Sequence, residues 1–555
     1  MNRSFAEASA RERIAHLLDA GSFREILGPA ERVMSPHLAQ LDTPAAFDDG
    51  VAIGRGTLQG QPVLVAAQEG SFMGGGVGEV HGAKLVGLFK LALSDKPQAV
   101  LVLAESGGVR LHEANAGLIG ISEVMRALLD VRHAGIPVLM LIGGAKGCFG
   151  GMGLVARCAD HVVMSDLARL AMSGPEVIES SHGVEEFDSK DLALVWRTTG
   201  GKHRFLTGDC DVLVEDDIGA FRAAAGAALG RTRPVTLESL ADEHALLAGR
   251  LAHFGECHDA REIWSRLGLA NAAQVTELDT AALRALKSTL VPSPSPASAG
   301  EANLHPPVPS SVPAPPGEAA SWPLLLDRLF AGQHSVRHEG ELLRGTAHIQ
   351  GRTLAIVGTT DHAAIGVELA LAQARVVLDT VRNHPGRPLL LLVDTQGQRL
   401  RHRDELLGIN RYMAHLGCCI ELARRSGHRV IGLVYDQALS GGFITSGLIA
   451  DACYALPEAQ IRVMRLPAMA RVTKIDEKRL EALSLSNPVF APGVQNYVAM
   501  GGVRALWHGD LQGDLQAELL MALDHTPIID ERARDGAARG GRQLAAQVIA
   551  RVAAA

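Results

Sequence analysis

The chain carries one strand, turn and helix pattern twice, and this internal duplication constrains its fold more than any other feature. The first copy reads LVLAESGGVRLHE, followed by PVLMLIGGAKGCFGGMGLVARCADHVVM. The second reads LLVDTQGQRLRHRDE, followed by RVIGLVYDQALSGGFITSGLIADACYAL. The glycines that coincide are Gly107 with Gly397, 290 residues apart, and Gly150-Gly151 with Gly441-Gly442, 291 residues apart. Two copies of one unit predict two related domains.

Each copy contains short apolar runs without polar alternation. These are VLVLA at 100–104 and PVLMLI at 137–142 in the first copy, and LLLLV at 389–393 and VIGLV at 430–434 in the second. Such runs, separated by helical stretches, are typical of buried parallel strands in βαβ units. With 47% hydrophobic and 21% charged residues, the chain can bury a large core. The sequence therefore predicts an α/β fold.

A proline-rich stretch separates the two copies. Nine of the 25 prolines lie between residues 292 and 316, and a segment so rich in Pro, Ser and Ala cannot build a core. We predict a first domain over residues 1–288, a linker over 289–320 and a second domain over 321–555.

The repeated glycine turns are the candidate functional feature. Glycine is abundant, at 60 of 555 residues, and the turns fall where parallel strands end, which is where α/β proteins bind ligands. A Gly-Gly pair at a helix N-terminus exposes backbone N–H groups that can stabilise a developing oxyanion. The alternative is close strand-to-helix packing without chemistry. The predicted catalytic residues are Gly107, Gly108, Gly150, Gly151, Gly397, Gly441 and Gly442.

Other classes of site lack their motifs. There is no P-loop, no G-x-S-x-G, no C-x-x-C and no cysteine–histidine spacing of a zinc finger, so we predict no metal. Ser440 precedes a Gly-Gly pair without a clear His/Asp frame, which favours a helix cap. A net charge of −8 gives no reason to expect nucleic acid. Without a signal peptide or a long apolar run, we expect a cytoplasmic protein without membrane contact.

Several segments carry a family resemblance. ARERIAHLLDAGSFREI, GSFMGGGVGEVHGAKLVGLFKLAL, AESGGVRLHE and SGPEVIE resemble the beta half of biotin-dependent acyl-CoA carboxyltransferases, and VDTQGQ and ALSGG resemble the alpha half. Together they resemble the beta and gamma subunits of biotin-independent malonate decarboxylase, joined in one chain. The four-cysteine zinc ribbon of bacterial acetyl-CoA carboxyltransferase beta subunits and the biotin-carrier sequence M-K-M are missing. The resemblance implies two crotonase-like (ββα spiral) carboxyltransferase domains with the active site at their interface.

The resemblance also implies a reaction. Malonyl thioester on an acyl carrier protein is decarboxylated to acetyl thioester and CO₂ through an enolate held in an oxyanion hole. The phosphopantetheine-type group of the carrier is then the substrate arm, with no covalently bound cofactor and no biotin. The implied partners are the carrier protein and an acyl-carrier-protein transferase subunit, in a complex or homo-oligomer. The predicted substrate-binding residues are Phe72, Met73, Gly74, Gly75, Ser106, Arg110, Gln396 and Arg399.

Several residues, and the function itself, allow more than one interpretation. Arg110 and Arg399 either orient the substrate carboxylate or tie a turn to a helix. Glu176 and Glu179 are either proton donors or structural. Seven arginines between residues 399 and 429 either form a docking face for an acidic carrier or a solvated helix face. Rival functions are a biotin-dependent acyl-CoA carboxyltransferase of the acetyl-CoA carboxylase type, a crotonase-type hydratase or isomerase, and a non-catalytic scaffold.

Overall fold

The apolar runs of the first copy form the parallel centre of a seven-stranded sheet in the computed structural model, which describes residues 3–269, 271–288, 290, 321–485, 487–521 and 529–555. The strands are β1 (Arg24–Ile26), β2 (Val51–Leu58), β3 (Gln61–Gln68), β4 (Ala99–Ala104), β5 (Val138–Ile142), β6 (His161–Ser165) and β7 (Val212–Val214). Their order in the sheet is their order in the chain. The pairs β1–β2 and β2–β3 are antiparallel, and the pairs from β3 to β7 are parallel.

The second copy builds a nine-stranded sheet on the same plan. Its strands are β8 (Arg337–Glu339), β9 (Leu342–Ile349), β10 (Arg352–Thr359), β11 (Ala363–Ile365), β12 (Leu389–Gln398), β13 (Val430–Leu439), β14 (Ala452–Ala455), β15 (Gln460–Arg462) and β16 (Ala505–Leu506). The main order is β16-β14-β13-β12-β10-β9-β8, while β11 pairs with β12 and β15 with β13. An antiparallel hairpin again precedes parallel strands.

Helices cover the faces of both sheets. In the first half they are α1 (Ala10–Leu17), α2 (Glu79–Asp95), α3 (Ala114–His133), α4 (Gly150–Arg157), α5 (Pro175–His182), α6 (Leu192–Thr199), α7 (Gly201–Leu206), α8 (Ile218–Ala228), α9 (Leu237–Phe254), α10 (Ala260–Arg266) and α11 (Thr280–Lys287). In the second half they are α12 (Trp322–Phe330), α13 (Val367–Asn383), α14 (His402–Leu407), α15 (Ile409–Arg425), α16 (Ser440–Phe443), α17 (Leu466–Thr473), α18 (Glu477–Ser484), α19 (Val494–Ala499), α20 (Leu511–Met521), α21 (Arg532–Ala538) and α22 (Ala545–Ala553).

The two halves match element by element, which confirms the predicted α/β class and the duplication. Hairpin β2–β3, helix α2 and strands β4–β5 correspond to β9–β10, α13 and β12–β13. The backbone refines the residue equivalence. Gly108 and Gly397 share a left-handed φ of +100° and +104°, and Gly150 and Ser440 share one of +59° and +48°. The equivalent positions are therefore 289 and 290 residues apart, one residue less than the glycine pattern suggests.

The halves share one hydrophobic core. Helix α15 packs against α4 and α3 of the first half, and α13 packs against α9. The last helix, α22, lies against α2, where a Cβ on Gly87 would fall 2.6 Å from Cβ of Val552. The predicted linker over 289–320 lies, apart from Leu290, outside the described residues, and the predicted domain boundaries stay a prediction.

All seven arginines of the stretch 399–429 form ion pairs, and only Arg401 among them is exposed. Neither sequence interpretation, a docking face for an acidic carrier or a solvated helix face, describes this stretch. The partners are carboxylates: Arg399 and Arg403 pair with Glu368, Arg401 with Glu186, Arg411 with Asp209 and Glu243, Arg424 with Glu421 and Asp451, Arg425 with Glu421 and Asp130, and Arg429 with Glu518. Several of these carboxylates belong to the first half. The charge therefore joins the halves and is already neutralised.

No helix among the described residues is both long and apolar enough to cross a bilayer.

We expect Arg411→Met to lower the free energy of unfolding by about 3 kcal/mol, because it leaves the buried carboxylate of Asp209 short of a partner. Arg411 donates to Asp209 at 3.1 Å and to Glu243 at 2.6 Å, both across the interface between the halves. Urea denaturation measures the loss. The control is Arg479→Met, which removes an exposed ion pair between the halves, with Asp42, and should cost less than about 1 kcal/mol. Equal losses from both variants would contradict this ranking.

Candidate active site

Neighbouring parallel strands bring the first pair of glycine turns together. Ser106, Gly107 and Gly108 follow β4, and Gly150 opens α4 after β5; we call these residues, with Gly151, the first glycine site. A Cβ on Gly108 would lie only 2.9 Å from Cα of Gly150, so the backbones touch where no side chain fits. Because both glycines have a positive φ, other residues would also be strained there. The local sequence therefore fixes a close backbone contact at this sheet edge.

Three of the four glycine N–H groups of the first glycine site already donate hydrogen bonds. Gly107 donates to the carbonyl of Gly74 at 2.8 Å, and Gly108 donates to Oγ of Ser106 at 3.1 Å. Gly150 donates to the carbonyl of Met172 at 2.9 Å. Within the described parts of the chain, the N–H of Gly151 has no partner. It lies in the first turn of α4, where N–H groups have no acceptor within the helix.

The segment from Phe72 to Gly75 lies directly over this site. The carbonyl of Gly74 receives the N–H of Gly107, and Gly75 packs so closely on the backbone of Glu105 that a Cβ could not be added. The ring of Phe72 lies under the guanidinium of Arg110, 5.2 Å from its centroid. The structure thus brings the predicted substrate-binding residues of the first half next to the predicted catalytic glycines.

The second glycine site, residues 396–398 and 441–442, repeats this arrangement. Gly397 donates its N–H to Oγ1 of Thr395 at 3.0 Å, as Gly108 does to Ser106. The close backbone contact is made by Gly442, two residues beyond Ser440, the counterpart of Gly150: a Cβ on Gly442 would lie 2.9 Å from Cα of Gly397. Gly441 donates its N–H to Oε1 of Gln398 at 3.2 Å, so a side-chain amide already occupies this donor. The side chain of Gln396 is exposed.

Arg110 and Arg399 tie the glycine turns, through carboxylates, to the N-termini of α2 and α13, the helices that precede these turns in the chain. This is the second of the two roles considered for them. Arg110 donates to Asp49 at 2.7 Å and to Glu113 at 2.6 Å, and Glu113 accepts the N–H of Glu79 at the start of α2. Its Nε donates to the carbonyl of Gly76 and its Nη2 to that of Asp49. Every nitrogen of this buried guanidinium is used, which favours a structural role over carboxylate binding.

Arg399 has the equivalent place in the second half. It donates to Glu368 at 3.0 Å and lies 3.9 Å from Asp404, and Asp404 accepts the N–H of Val367 at the start of α13. Burial raises the pKa of Asp404 to about 6, against the opposing effect of Arg399. The duplicated unit therefore includes an arginine and a carboxylate as well as the glycines.

Met172 lies between the two glycine sites. Its carbonyl accepts the N–H of Gly150, and its terminal methyl packs directly on Gly441 of the other half. Glu405, on α14, accepts the N–H of Met172 at 3.0 Å and that of Ser173 at 2.5 Å. Glu405 is fully buried, and this burial raises the pKa of its carboxyl to about 7. One residue thus touches both sites and is held by a carboxylate from the opposite half.

Sequence reasoning missed Met172, Gln398 and Glu405. Each lies within or beside a segment quoted above: Met172 precedes SGPEVIE, Gln398 follows the second turn, and Glu405 ends LLVDTQGQRLRHRDE. Their position beside these motifs was the one sequence signal that could have marked them as site residues. It did not reveal that residues 172–173 and 405, 232 and 233 residues apart in the chain, are hydrogen-bonded.

The two candidate proton donors lie outside the contact between the glycine sites. Glu176 is exposed. Glu179 accepts the N–H of Ser189 at 2.9 Å, and hydrogen bonds from Ser189 lower the pKa of its carboxyl. A carboxylate held in its ionised form is a poor proton donor near neutral pH, so the structural role is favoured for Glu179.

A cavity of about 630 Å³ in the first half is lined by Trp196, Leu192 and Trp264 among others. The guanidinium of Arg169 lies over the ring of Trp196, which lines this cavity, and over that of Phe149, which precedes Gly150. None of the predicted site residues lines this cavity.

One group of possible metal ligands occurs in the described chain. His362, Asp394 and Asp436 place their ligand atoms within 4.8 Å of one another, and Nδ1 of His362 is hydrogen-bonded to Asp394 at 2.8 Å. That the reaction needs no metal stays a prediction.

Comparison with known proteins gives each half its own family match. Residues 2–226 match the carboxyl transferase domain, and residues 360–555 match the malonate decarboxylase gamma subunit. The matches fall on the two sheets described above, in the predicted order.

Two relatives come from Malonomonas rubra. The malonyl-S-ACP:biotin-protein carboxyltransferase MADC is 41% identical over 292 residues, which cover 49% of this chain and 91% of MADC. A second malonyl-S-ACP:biotin-protein carboxyltransferase, MADD, is 36% identical over 151 residues, which cover 26% of this chain and 52% of MADD.

Among solved structures, a chain of a Pseudomonas malonate decarboxylase hetero-tetramer in complex with malonate is 40% identical. The match covers 48% of this chain and 97% of that chain, with a TM-score of 0.44. The family assignment follows from the sequence matches, above all the one that covers nearly all of MADC. The chain belongs to the malonate decarboxylase branch of the carboxyltransferase family, with a beta-type half and a gamma-type half joined in one polypeptide.

Proposed function

We propose that this chain decarboxylates a malonyl thioester and that the first glycine site holds the thioester oxygen. The observation that carries the proposal is the N–H of Gly151, which has no partner within the described residues and stands at the positive end of α4. Gly108 supplies the second donor by releasing Oγ of Ser106, a bond within its own turn. Gly107 and Gly150 keep the turns in place through their own hydrogen bonds.

This geometry suits the chemistry of carbon dioxide loss. The carboxylate is ionised near neutral pH, so no base is needed. The carbon–carbon bond breaks, its electron pair becomes the thioester enolate, and water then protonates the carbon to give the acetyl thioester. Fixed backbone N–H groups stabilise the enolate oxygen as its charge develops.

The thioester arm follows from the family and from the position of residues 72–75. A phosphopantetheine-type arm, carried by an acyl carrier protein, would pass along this segment to reach Gly107. The carrier and the transferase that loads it are the proposed partners, in a cytoplasmic complex; the related Pseudomonas malonate decarboxylase is itself a hetero-tetramer.

We assign no biotin to the second glycine site. Oε1 of Gln398 already accepts the N–H of Gly441, and the side chain of Met172 covers Gly441 from the other half. Both groups therefore block the N–H of Gly441, which the ureido carbonyl of biotin would need as a donor. The N–H of Gly442 has no partner within the described chain and is free to hold the departing carboxylate or a water.

A second candidate is transfer of the carboxyl group to a biotinyl protein. The relatives MADC and MADD favour this candidate, since both are malonyl-S-ACP:biotin-protein carboxyltransferases. In that reaction Gln398 and Met172 would have to move to admit biotin.

Carbon dioxide release separates the two candidates. We expect the purified chain to release CO₂ from malonyl-carrier without any biotinyl protein, at a rate that avidin does not change, and more slowly from malonyl-CoA. Radiolabelled malonyl substrate and CO₂ trapping measure the rate. Release that depends on an added biotinyl protein, or stops with avidin, would establish carboxyl transfer instead.

Removing the N–H of Gly151 tests the oxyanion site. Any Cβ at Gly151 would press on Ile121, with a nearest approach of 2.6 Å, so the test is made in an Ile121→Ala background. Gly151→Pro removes the N–H in the first helical turn, where proline is tolerated, and Gly151→Ala in the same background adds a Cβ but keeps the N–H. We expect kcat to be about 100- to 1000-fold lower with proline than with alanine. Equal kcat values, with both proteins folded by circular dichroism, would remove Gly151 from the mechanism.

A further inference from the structure

Glu405 joins the two halves at the point where the glycine sites meet. Its two carboxylate oxygens accept the N–H of Met172 at 3.0 Å and of Ser173 at 2.5 Å. Met172 in turn accepts the N–H of Gly150 through its carbonyl and contacts Gly441 through its terminal methyl. The backbone carbonyl of Glu405 is itself held by Arg204 at 2.8 Å. A chain of contacts therefore runs from α14 through residues 172–173 to both glycine sites.

We propose that Glu405 is a positioning residue for decarboxylation: its carboxylate fixes Met172 and Ser173, and through them keeps the first glycine site aligned with the second. This inference rests on the proposed function. It adds a residue of the gamma-type half to the control of the oxyanion site in the beta-type half.

Only the ionised form of the Glu405 carboxyl can position Met172 and Ser173 in this way. Two N–H donors face it, one at each oxygen, and only an unprotonated carboxylate accepts fully at both. A protonated carboxyl places O–H at one oxygen and leaves one buried N–H poorly paired. Residues 172–173 then shift, and with them the acceptor of the N–H of Gly150.

Burial raises the pKa of Glu405 to about 7 against the hydrogen bonds from Met172 and Ser173 and the charge of Arg204. Charged and titratable groups on every element packed around α14 surround this carboxyl. They include His203 and Arg204 on α7, Arg197 on α6, Glu243 and Arg250 on α9, Arg411 and His415 on α15, Asp209 in the loop after α7, and His402, Arg403 and Asp404 on α14 itself. Burial lowers the pKa of His203 to about 3 and also lowers that of His402. Both imidazoles are therefore neutral where Glu405 titrates.

The sign of the pH effect follows directly. As pH rises through about 7, Glu405 ionises in the folded chain and the aligned form is populated. The substrate carboxylate stays ionised throughout this range. The kcat for CO₂ release should therefore rise with pH across this midpoint and then level off.

The experiment measures kcat and KM for CO₂ release from malonyl-carrier between pH 5.5 and pH 8.5, in the full chain and in Glu405→Gln. The amide offers one acceptor oxygen and points an NH₂ group at the other N–H. We expect at least a tenfold lower kcat at pH 8, a KM within about threefold of the unaltered chain, and no rise of kcat through pH 7. A Glu405→Gln protein with the unaltered kcat and the same pH rise would overturn the proposal.

Two further variants separate positioning from general loss of structure. Glu123→Gln removes a buried carboxylate that pairs with Arg542 between α3 and the C-terminal segment; it should lower the thermal midpoint yet keep the pH rise. Met172→Ala removes the contact with Gly441 but keeps both N–H groups that Glu405 holds, so its kcat should keep the midpoint near pH 7. If Glu405→Gln does not fold, the other two proteins still test the proposal. A kcat of the unaltered chain that does not change with pH refutes it, and so does a midpoint of the pH dependence of kcat that moves in Met172→Ala. Absence of CO₂ release at every pH would refute the proposed function instead.

Discussion

The structure depends on two places where backbone meets backbone with no room for a side chain. Gly108 touches Gly150 in one half, and Gly397 touches Gly442 in the other. Each contact brings the turn after one strand against the start of the helix that follows the neighbouring parallel strand. A methyl group at Gly108 or at Gly442 would push the turns apart, so the free N–H groups of the first helical turns would lose their common target.

The duplication extends beyond the glycines. In both halves an arginine after the turn, Arg110 or Arg399, is held by a carboxylate that also accepts the first N–H of a helix. The halves differ in what fills the turn. The first leaves the N–H of Gly151 unpaired within the described chain, whereas the second gives the N–H of Gly441 to Gln398. The two halves therefore share one backbone scaffold but differ in which of its N–H groups have a partner within the described chain.

Much of the fold was predictable because its causes are local. Runs such as VLVLA and LLLLV at buried strands, and a repeated Gly turn after each, depend only on neighbours in the chain. The predicted glycines of each half do lie together, because the ends of adjacent parallel strands share one sheet edge. The arginine-rich stretch was misread because charge partners such as Asp209 and Glu243, about 200 and 170 residues away from Arg411, leave no trace near it.

The sequence by itself determined the two related α/β units, their glycine turns and their family, since these are properties of short segments and their order. Only the tertiary structure decided which backbone N–H groups are free, because a donor has a hydrogen-bond partner only where packing brings an acceptor to it. Three of these N–H groups have acceptors: that of Gly107 donates to the carbonyl of Gly74, that of Gly150 to the carbonyl of Met172, and that of Gly441 to the side-chain amide of Gln398. It also placed Glu405 behind Met172, since that contact arises only when the two halves close on a common core.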